Sequence, residues 1–189
     1  MLLIIGGAAR TGKGILARRL LRETHQPYLS IDVLKMGLAN GLPGMGLDPD
    51  AHPRETAEQL WPILYAMAVN MIETDVHYTI EGEMLPAQAD ELIRRFPGEV
   101  RSCFLGYTQI APGKKLAEIR QFGGHPNDWI ADYSDEEVLS MLEQFIDFSR
   151  YLQEEAGRLG IPYFDTSENF EEVHQHAFAY LMQGRLQQD

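Results

Sequence analysis

The sequence has few of the features that mark secreted, metal-stabilised or membrane-embedded proteins. Cys103 is the single cysteine, so the chain cannot form an intramolecular disulfide, and no cluster of cysteine and histidine has the spacing of a structural zinc site. No apolar run approaches the about 20 residues that span a bilayer, and the opening MLLII is too short for the core of a signal peptide. These absences predict a soluble protein of a reducing, cytoplasmic compartment with no membrane partner.

Basic residues are also scarce relative to acidic ones. Sixteen lysines and arginines stand against 28 aspartates and glutamates, which leaves a net charge of −12. This charge repels the nucleic-acid backbone over long range, so a nucleic-acid partner is disfavoured. Hydrophobic residues make up 44% of the 189 residues, which is enough for a substantial core, and no linker divides the chain. We therefore expect a single domain over residues 1–189.

Short apolar runs alternate with longer segments of helical period, which is typical of an α/β protein whose helices cover a parallel sheet. The predicted strands are residues 2–5, 28–31, 76–80, 100–107 and 163–164, and the predicted helices include residues 55–74, 86–96, 113–122 and 170–182. A capping box of Ser134 and Glu137 predicts the start of a further long helix. Glycine and proline predict a loop over residues 37–53, and Pro62 is expected to kink the next helix or delay its start.

The turn after the first strand carries the most specific motif. Residues 7–13 match G-x-x-x-x-G-K between an apolar strand and an amphipathic helix, the context that a phosphate-binding loop requires. Backbone N–H groups and the helix dipole bind phosphate there, and Lys13 adds a positive charge on the β- and γ-phosphates. The predicted nucleotide-binding residues are Gly7, Ala8, Ala9, Arg10, Thr11, Gly12, Lys13, Gly14 and Ile15. The alternative is a glycine-rich strand-to-helix turn with an incidental lysine.

The residues around this lysine carry a resemblance to known kinases. Gly-Lys-Gly at residues 12–14 resembles the adenylate kinase branch of P-loop kinases, although Ile15 stands where that branch normally has a hydroxyl residue. The order GG-x-x-x-x-GK followed by an aspartate after strand two also resembles chloramphenicol phosphotransferase. The resemblance implies a three-layer α/β/α P-loop NTPase fold with five parallel strands in the order 2-3-1-4-5. It also implies a lid between strands four and five, at about residues 110–133.

Acidic residues follow the second and third predicted strands, where ligands of open α/β sheets bind. Asp32 is the predicted base toward a hydroxyl, as the resemblance to chloramphenicol phosphotransferase implies, and its alternative role is an ordinary helix N-cap. Glu81 and Glu83 are predicted to face Mg²⁺ together, because alternate residues of an extended segment point the same way. The alternative for both is a solvated loop acid. Thr11, the nearest hydroxyl to the missing one, is a third candidate metal ligand.

Basic residues after the fourth strand lie where this class of kinases carries its lid. Lys114, Lys115 and Arg120, together with Arg10 of the phosphate turn, are predicted to stabilise charge on the transferred group. The alternative for each is an ordinary solvated cation.

The candidate walls of the acceptor site are two polar segments. Residues 37–54 form the first, in which Arg54 is a candidate for binding an anionic group, and residues 125–129 form the second. Asp165 and Thr166 follow the fifth strand, the usual position for adenine contacts, although a turn-forming role fits them equally well.

These features predict a kinase that uses ATP and Mg²⁺ and transfers the γ-phosphoryl group to a hydroxyl of a small molecule. Lys13 would bind the phosphates and Asp32 would act as base. The chain lacks the paired arginines of a nucleoside monophosphate site, so the expected acceptor is a hydroxyl-bearing metabolite or an antibiotic-like molecule. Two alternatives stay open: an ATPase or nucleotidase that uses water, and a regulatory module that binds nucleotide without transfer. Monomer and homodimer are both compatible with the sequence.

Overall fold

A five-stranded parallel sheet forms the centre of the molecule. The computed structural model describes residues 1–123 and 128–183. The strands are β1 (Leu2–Gly7), β2 (Tyr28–Ser30), β3 (Tyr78–Gly82), β4 (Val100–Gly106) and β5 (Tyr163–Asp165). They lie in the order β2-β3-β1-β4-β5, and every neighbouring pair is parallel. The predicted sheet order is therefore confirmed.

Helices cover both faces of this sheet. They are α1 (Lys13–Thr24), α2 (Ile31–Gly41), α3 (Pro53–Glu73), α4 (Pro86–Arg95), α5 (Pro112–Phe122), α6 (Asp135–Leu159) and α7 (Phe170–Met182). Buried residues of α1 and α7 pack on one face, and buried residues of α3, α4 and α6 pack on the other. This arrangement confirms the three-layer α/β/α fold. No helix within residues 1–123 and 128–183 is long and apolar enough to cross a membrane.

The apolar run of β1 reflects its place in the middle of the sheet. Leu2 and Ile4 point into the core shared with α3, α4 and α6, whereas Leu3 and Ile5 point into the core shared with α1 and α7. All four side chains are fully buried. A strand covered on both faces needs apolar residues at every position, so the pattern is continuous and does not alternate.

Several boundaries differ from the predicted ones. α2 continues to Gly41, so the predicted loop begins later, and a 3₁₀ turn at Pro43–Met45 interrupts it. α3 begins at Pro53 and continues past Pro62 to Glu73. Its start is set by His52, whose Nδ1 accepts a hydrogen bond from the Arg54 amide. β3 begins at Tyr78 and not at residue 76, since the amide of Val76 still bonds the end of α3.

The chain between β4 and β5 forms a separate apolar layer. α5 and the first half of α6 pack through a third cluster that includes Tyr107, Ile119, Ile130 and Leu142. This region contains the predicted lid, of which residues 124–127 lie outside the described part of the chain. Its packing brings residues 128–130 next to the turn that follows β1.

Candidate active site

The turn between β1 and α1 has the backbone of a phosphate-binding loop. Gly12, just before α1, has a φ of +84° in the left-handed region, which favours glycine. A Cβ on Gly12 would also lie only 2.6 Å from ring atoms of His174 and of Phe170. Both the backbone angle and the close approach therefore require glycine here, as the sequence motif predicted.

Lys13 and Thr11 are both held by the same carbonyl group. Lys13 Nζ donates to the Ala8 oxygen at 2.7 Å, and Thr11 Oγ1 donates to it at 3.0 Å. Lys13 is 8% exposed, so its ammonium group lies over the turn and not in bulk solvent. Thr11 is fully buried, and its hydroxyl faces the interior of the turn. The structure therefore does not direct Thr11 to a metal at the mouth of the turn.

His174 of α7 contacts the turn, and no sequence motif predicted this contact. Its Nε2 donates to the Thr11 carbonyl oxygen at 2.9 Å, and its ring stacks on Phe170 with centroids 4.2 Å apart. Burial lowers the pKa of His174, and the bond to Thr11 opposes this shift. A neutral imidazole with a proton on Nε2 satisfies both its burial and this bond. No local signal distinguishes this histidine from others on the same helix, because its partner lies 163 residues away.

Glu81 lies beside the position where most P-loops carry a hydroxyl residue. A Cβ built on Gly14 would be 3.9 Å from Glu81 Oε1 and 3.7 Å from Arg18 Nη1, which are ordinary contact distances. Glu81 is 7% exposed and is the fourth residue of β3, directly beside β1. Mg²⁺ at kinase sites uses one or two carboxylates together with phosphate oxygens. The donor set beside Gly14 therefore fits Mg²⁺, although residues 1–123 and 128–183 hold no cluster of three acidic, histidine or cysteine side chains suited to a metal.

Glu83 has Lys35 of α2 as its ion-pair partner. Its Oε2 lies 3.9 Å from Lys35 Nζ of α2, and its side chain is 14% exposed. Burial raises the pKa of Glu83, and the charges of Lys13 and Lys35 oppose this rise. The prediction that both acids face one metal assumed an extended backbone, but Gly82 between them has a φ of +149°. Glu83 lies near Lys35 of α2 and within the electrostatic range of Lys13, while Glu81 lies beside Gly14, so a metal shared by both acids stays a prediction.

Asp32 lies at the start of α2, directly after the end of β2. It is not the N-cap, as the alternative reading of the sequence had it, because Ser30 occupies that position and Asp32 lies in the first turn. Its Oδ1 is 3.4 Å from Lys35 Nζ, and 66% of its side chain is exposed. The charge of Asp32 also acts on Glu83. The structure thus groups Asp32, Lys35 and Glu83 at one edge of the sheet.

Arg10 of the phosphate turn binds a carboxylate from the segment after α5. Its two terminal nitrogens donate to the two carboxylate oxygens of Asp128, with Nη1 3.0 Å from Oδ2 and Nη2 in contact with Oδ1. The guanidinium carbon also lies 5.1 Å from the ring centre of Trp129. Arg10 therefore connects the turn to the region that the sequence predicted as a lid.

The basic residues of α5 occupy three different environments. Lys114 is exposed. Arg120 is bonded to Asp135 and to the carbonyl oxygens of Ile130 and Tyr133, so its guanidinium joins the segment after α5 to the start of α6.

Lys115 is the buried cation of this helix. Its Nζ lies 4.7 Å from the ring centre of Tyr107, and burial lowers its pKa while Glu118 opposes the shift. The charge of Arg10 also lowers this pKa, so it acts on the Lys115 ammonium. Of the three cations predicted for a lid, Lys115 is the one on which the charge of Arg10 acts, whereas no contact among the described residues brings Lys114 or Arg120 to the turn.

Two further candidates are already bonded within the protein. Burial would raise the pKa of Asp165, but hydrogen bonds from Ser167 and Thr108 outweigh it and lower the pKa. The Thr166 hydroxyl donates to the Gly106 carbonyl, so these residues join the ends of β4 and β5 as turn-forming residues do. Arg54 is exposed and pairs with Glu58 at 3.2 Å, within its own helix.

Comparison with known proteins shows the fold of P-loop small-molecule kinases. A shikimate kinase from Bacteroides thetaiotaomicron superposes with a TM-score of 0.61 at 15% identity, covering 96% of this chain and 98% of that one. A sugar kinase from Janibacter sp. gives 0.58 at 16% identity, over 98% and 96% of the two chains. A gluconokinase from Sinorhizobium meliloti gives 0.56 at 17% identity, over 97% and 91%. No family model and no curated protein sequence matches the chain.

Proposed function

We propose that this protein is an ATP-dependent phosphotransferase that phosphorylates a hydroxyl group of a small molecule. The observation that carries the proposal is the turn after β1, where Lys13 lies over the loop and Glu81 stands beside Gly14. A cationic loop at a helix start binds phosphate, and an adjacent carboxylate suits the metal ion that accompanies a nucleoside triphosphate. The kinase fold of the similar structures supports the same assignment.

The residues of the site divide into two groups by the half of the reaction they serve. The turn and Lys13 would bind the triphosphate, and Glu81 would hold Mg²⁺, which neutralises phosphate charge when bound. Asp32, in the first turn of α2, would accept the proton of the acceptor hydroxyl. The hydroxyl oxygen then bonds the γ-phosphorus, the bond from that phosphorus to the β–γ bridging oxygen breaks, and ADP leaves with the electron pair.

The acceptor that we propose is a hydroxyl-rich molecule without a phosphate group. Lys35 lies between Asp32 and Glu83, with its Nζ 3.4 Å from one carboxylate and 3.9 Å from the other. A crevice with two acids around one lysine offers hydrogen-bond acceptors and donors to hydroxyl groups but little net attraction for a phosphate. The names of two similar structures, a sugar kinase and a gluconokinase, point to the same class of acceptor.

One observation favours a second candidate, a regulatory module that binds nucleotide without transfer. Gly14 and Ile15 supply no hydroxyl, and Ile15 is 49% exposed beside the turn. This candidate predicts tight binding of ATP with no phosphorylated product.

The experiment combines nucleotide binding with a search for product. Calorimetry with Mg²⁺ and ATP measures binding, and mass spectrometry of a panel of sugars, sugar acids and aromatic alcohols detects a gain of one phosphoryl group. We expect Lys13→Ala to abolish most ATP affinity and Asp32→Asn to spare binding while abolishing transfer. Arg150→Ala, which alters an exposed pair on α6, serves as control. Equal loss of binding in the first two variants would contradict the division of roles.

A further inference from the structure

Asp128 holds the arginine of the phosphate turn in one orientation. Both of its carboxylate oxygens bind the terminal nitrogens of Arg10, and the two side chains are only 8% and 17% exposed. A two-point contact between guanidinium and carboxylate determines the plane of the arginine as well as its position. The backbone of Arg10 has a φ of +62°, so the residue is constrained at both ends.

This arrangement leaves one donor of Arg10 unused. Its Nε is buried and has no hydrogen-bond partner within residues 1–123 and 128–183. A buried N–H without an acceptor is costly, and in native proteins it is usually bonded to protein, water or ligand. The Nε–H group belongs to a residue of the phosphate turn itself, and the acceptors that such a turn receives are phosphate oxygens.

Two further groups near Arg10 are the Tyr107 hydroxyl and the Lys115 ammonium. The Tyr107 hydroxyl is buried and without a partner in the described part of the chain. Burial raises the pKa of Tyr107 and the charge of Arg10 opposes this rise, so the hydroxyl lies within the electrostatic range of Arg10. Lys115 lies against the same tyrosine ring. The charges of Arg10 and Lys115 are partly offset by Asp128 and Glu118, so the donors of this group that remain without an acceptor among the described residues are Arg10 Nε and the Tyr107 hydroxyl.

We propose that Asp128 is a positioning residue for Arg10: it holds the two terminal nitrogens so that Nε–H is presented to a phosphate oxygen of the nucleotide. Asp128 thus acts through Arg10 and does not itself contact the nucleotide. Trp129 covers the guanidinium from one side at 5.1 Å, which limits other orientations. The proposal rests on the proposed function, because it requires a nucleotide in the turn.

The test is a double-mutant cycle on nucleotide affinity, which needs no knowledge of the acceptor. Calorimetry with Mg²⁺ and ATP is carried out on the full chain, on Arg10→Gln, on Asp128→Asn and on the double variant. Asp147→Asn makes the same chemical change in an exposed ion pair of α6 and serves as the matched control. Circular dichroism confirms that each variant is folded.

We expect each single variant to bind ATP roughly tenfold or more weakly, as for a lost hydrogen bond to a charged group. In the Arg10→Gln background, Asp128→Asn should not weaken ATP binding further. If Asp128 acted only through the general stability of the fold, its effect on ATP binding would persist in that background. Unchanged or tighter binding by Asp128→Asn would overturn the proposal, because Asp128 would then be neutral or a competitor of phosphate. A full effect of Asp128→Asn in the Arg10→Gln background would overturn it as well.

Two further measurements separate the remaining outcomes. If Asp128→Asn does not fold, Arg10→Lys replaces it, since lysine keeps the charge but lacks Nε and the two-point contact. Wild-type affinity in Arg10→Lys would overturn the proposal, and a loss similar to that of Arg10→Gln would support it. If the unmodified protein binds no ATP while folded, the proposed function itself fails. If the unmodified protein binds ATP normally and these variants have no effect, only the proposed role of Asp128 is refuted.

Discussion

Replacing Gly14 by serine should strengthen the binding of ATP in the presence of Mg²⁺. Most loops of this type carry a hydroxyl residue at this point, and here the place beside Glu81 holds only a hydrogen atom. The new Cβ would lie 3.9 Å from Glu81 Oε1 and 3.7 Å from Arg18 Nη1. Both are ordinary contacts, and Gly14 has no positive φ, so the backbone accepts the side chain without strain.

Two separate contributions set the expected size of the effect. Replacing a glycine within a helix by another residue stabilises the fold by up to about 1 kcal/mol. The gain is smaller at Gly14, the second residue of α1, than in a helix interior. The hydroxyl adds one ligand or hydrogen bond at the metal, which contributes about 0.5–1.5 kcal/mol. That range corresponds to a roughly two- to thirteenfold gain in affinity for ATP with Mg²⁺.

Gly14→Ala separates these contributions, because alanine has a higher helix propensity than glycine but carries no hydroxyl. Urea unfolding measures stability, and calorimetry measures ATP affinity with Mg²⁺ and with EDTA. We expect both variants to unfold at higher urea concentration, and only serine to gain affinity in a metal-dependent way. If alanine and serine bind equally, or if the gain survives EDTA, the metal does not lie between Gly14 and Glu81, and that part of the site is assigned wrongly.

The remaining predictions concern His174 and Gly82. His174→Ala should lower both stability and ATP affinity, because the Thr11 carbonyl loses its donor. The pKa of His174 is lowered below 6.5 in the folded state, so between that lowered value and pH 6.5 the unfolded chain binds more protons than the folded one. The free energy of unfolding therefore falls as the pH drops through this range. His174→Ala should lose this pH dependence in urea titrations. Gly82→Ala places a Cβ 2.5 Å from Ile31 Cβ, so α2 should shift and phosphoryl transfer should fall while ATP binding persists.

Each of these two predictions has its own control. An unchanged pH slope in His174→Ala would show that another group dominates the acid sensitivity. For Gly82, the comparison is Gly98→Ala, which also replaces a glycine of positive φ but meets nothing within 4 Å. If the two alanine variants lose transfer equally, backbone strain and not the contact with Ile31 is responsible.

Local patterns in the sequence were sufficient to predict an α/β protein and the phosphate turn, whereas the strand order followed from the resemblance to known kinases. Four consecutive apolar residues in β1, then G-x-x-x-x-G-K, then a helical period place strand, turn and helix without reference to the rest of the chain. The same holds for the capping box of Ser134 and Glu137, which is present as predicted at the start of α6. Such features depend on neighbours within a few residues, so spacing alone reveals them.

Only the tertiary structure decided which charged groups meet. Glu81 and Glu83 are equivalent in a pattern of alternate residues. In the structure, Gly82 between them has a φ of +149°, and Glu81 lies beside Gly14 whereas Glu83 lies beside Lys35. Lys115, and not the adjacent Lys114, is buried because one side of α5 packs on Tyr107.

The contacts of Arg10 with Asp128 and of His174 with Thr11 join residues 118 and 163 positions apart. The sequence by itself therefore determined the sheet, the turn and the residue types available for the chemistry. Their partners were decided by how the helices pack on the sheet, since contacts between distant segments leave no periodic signal along the chain.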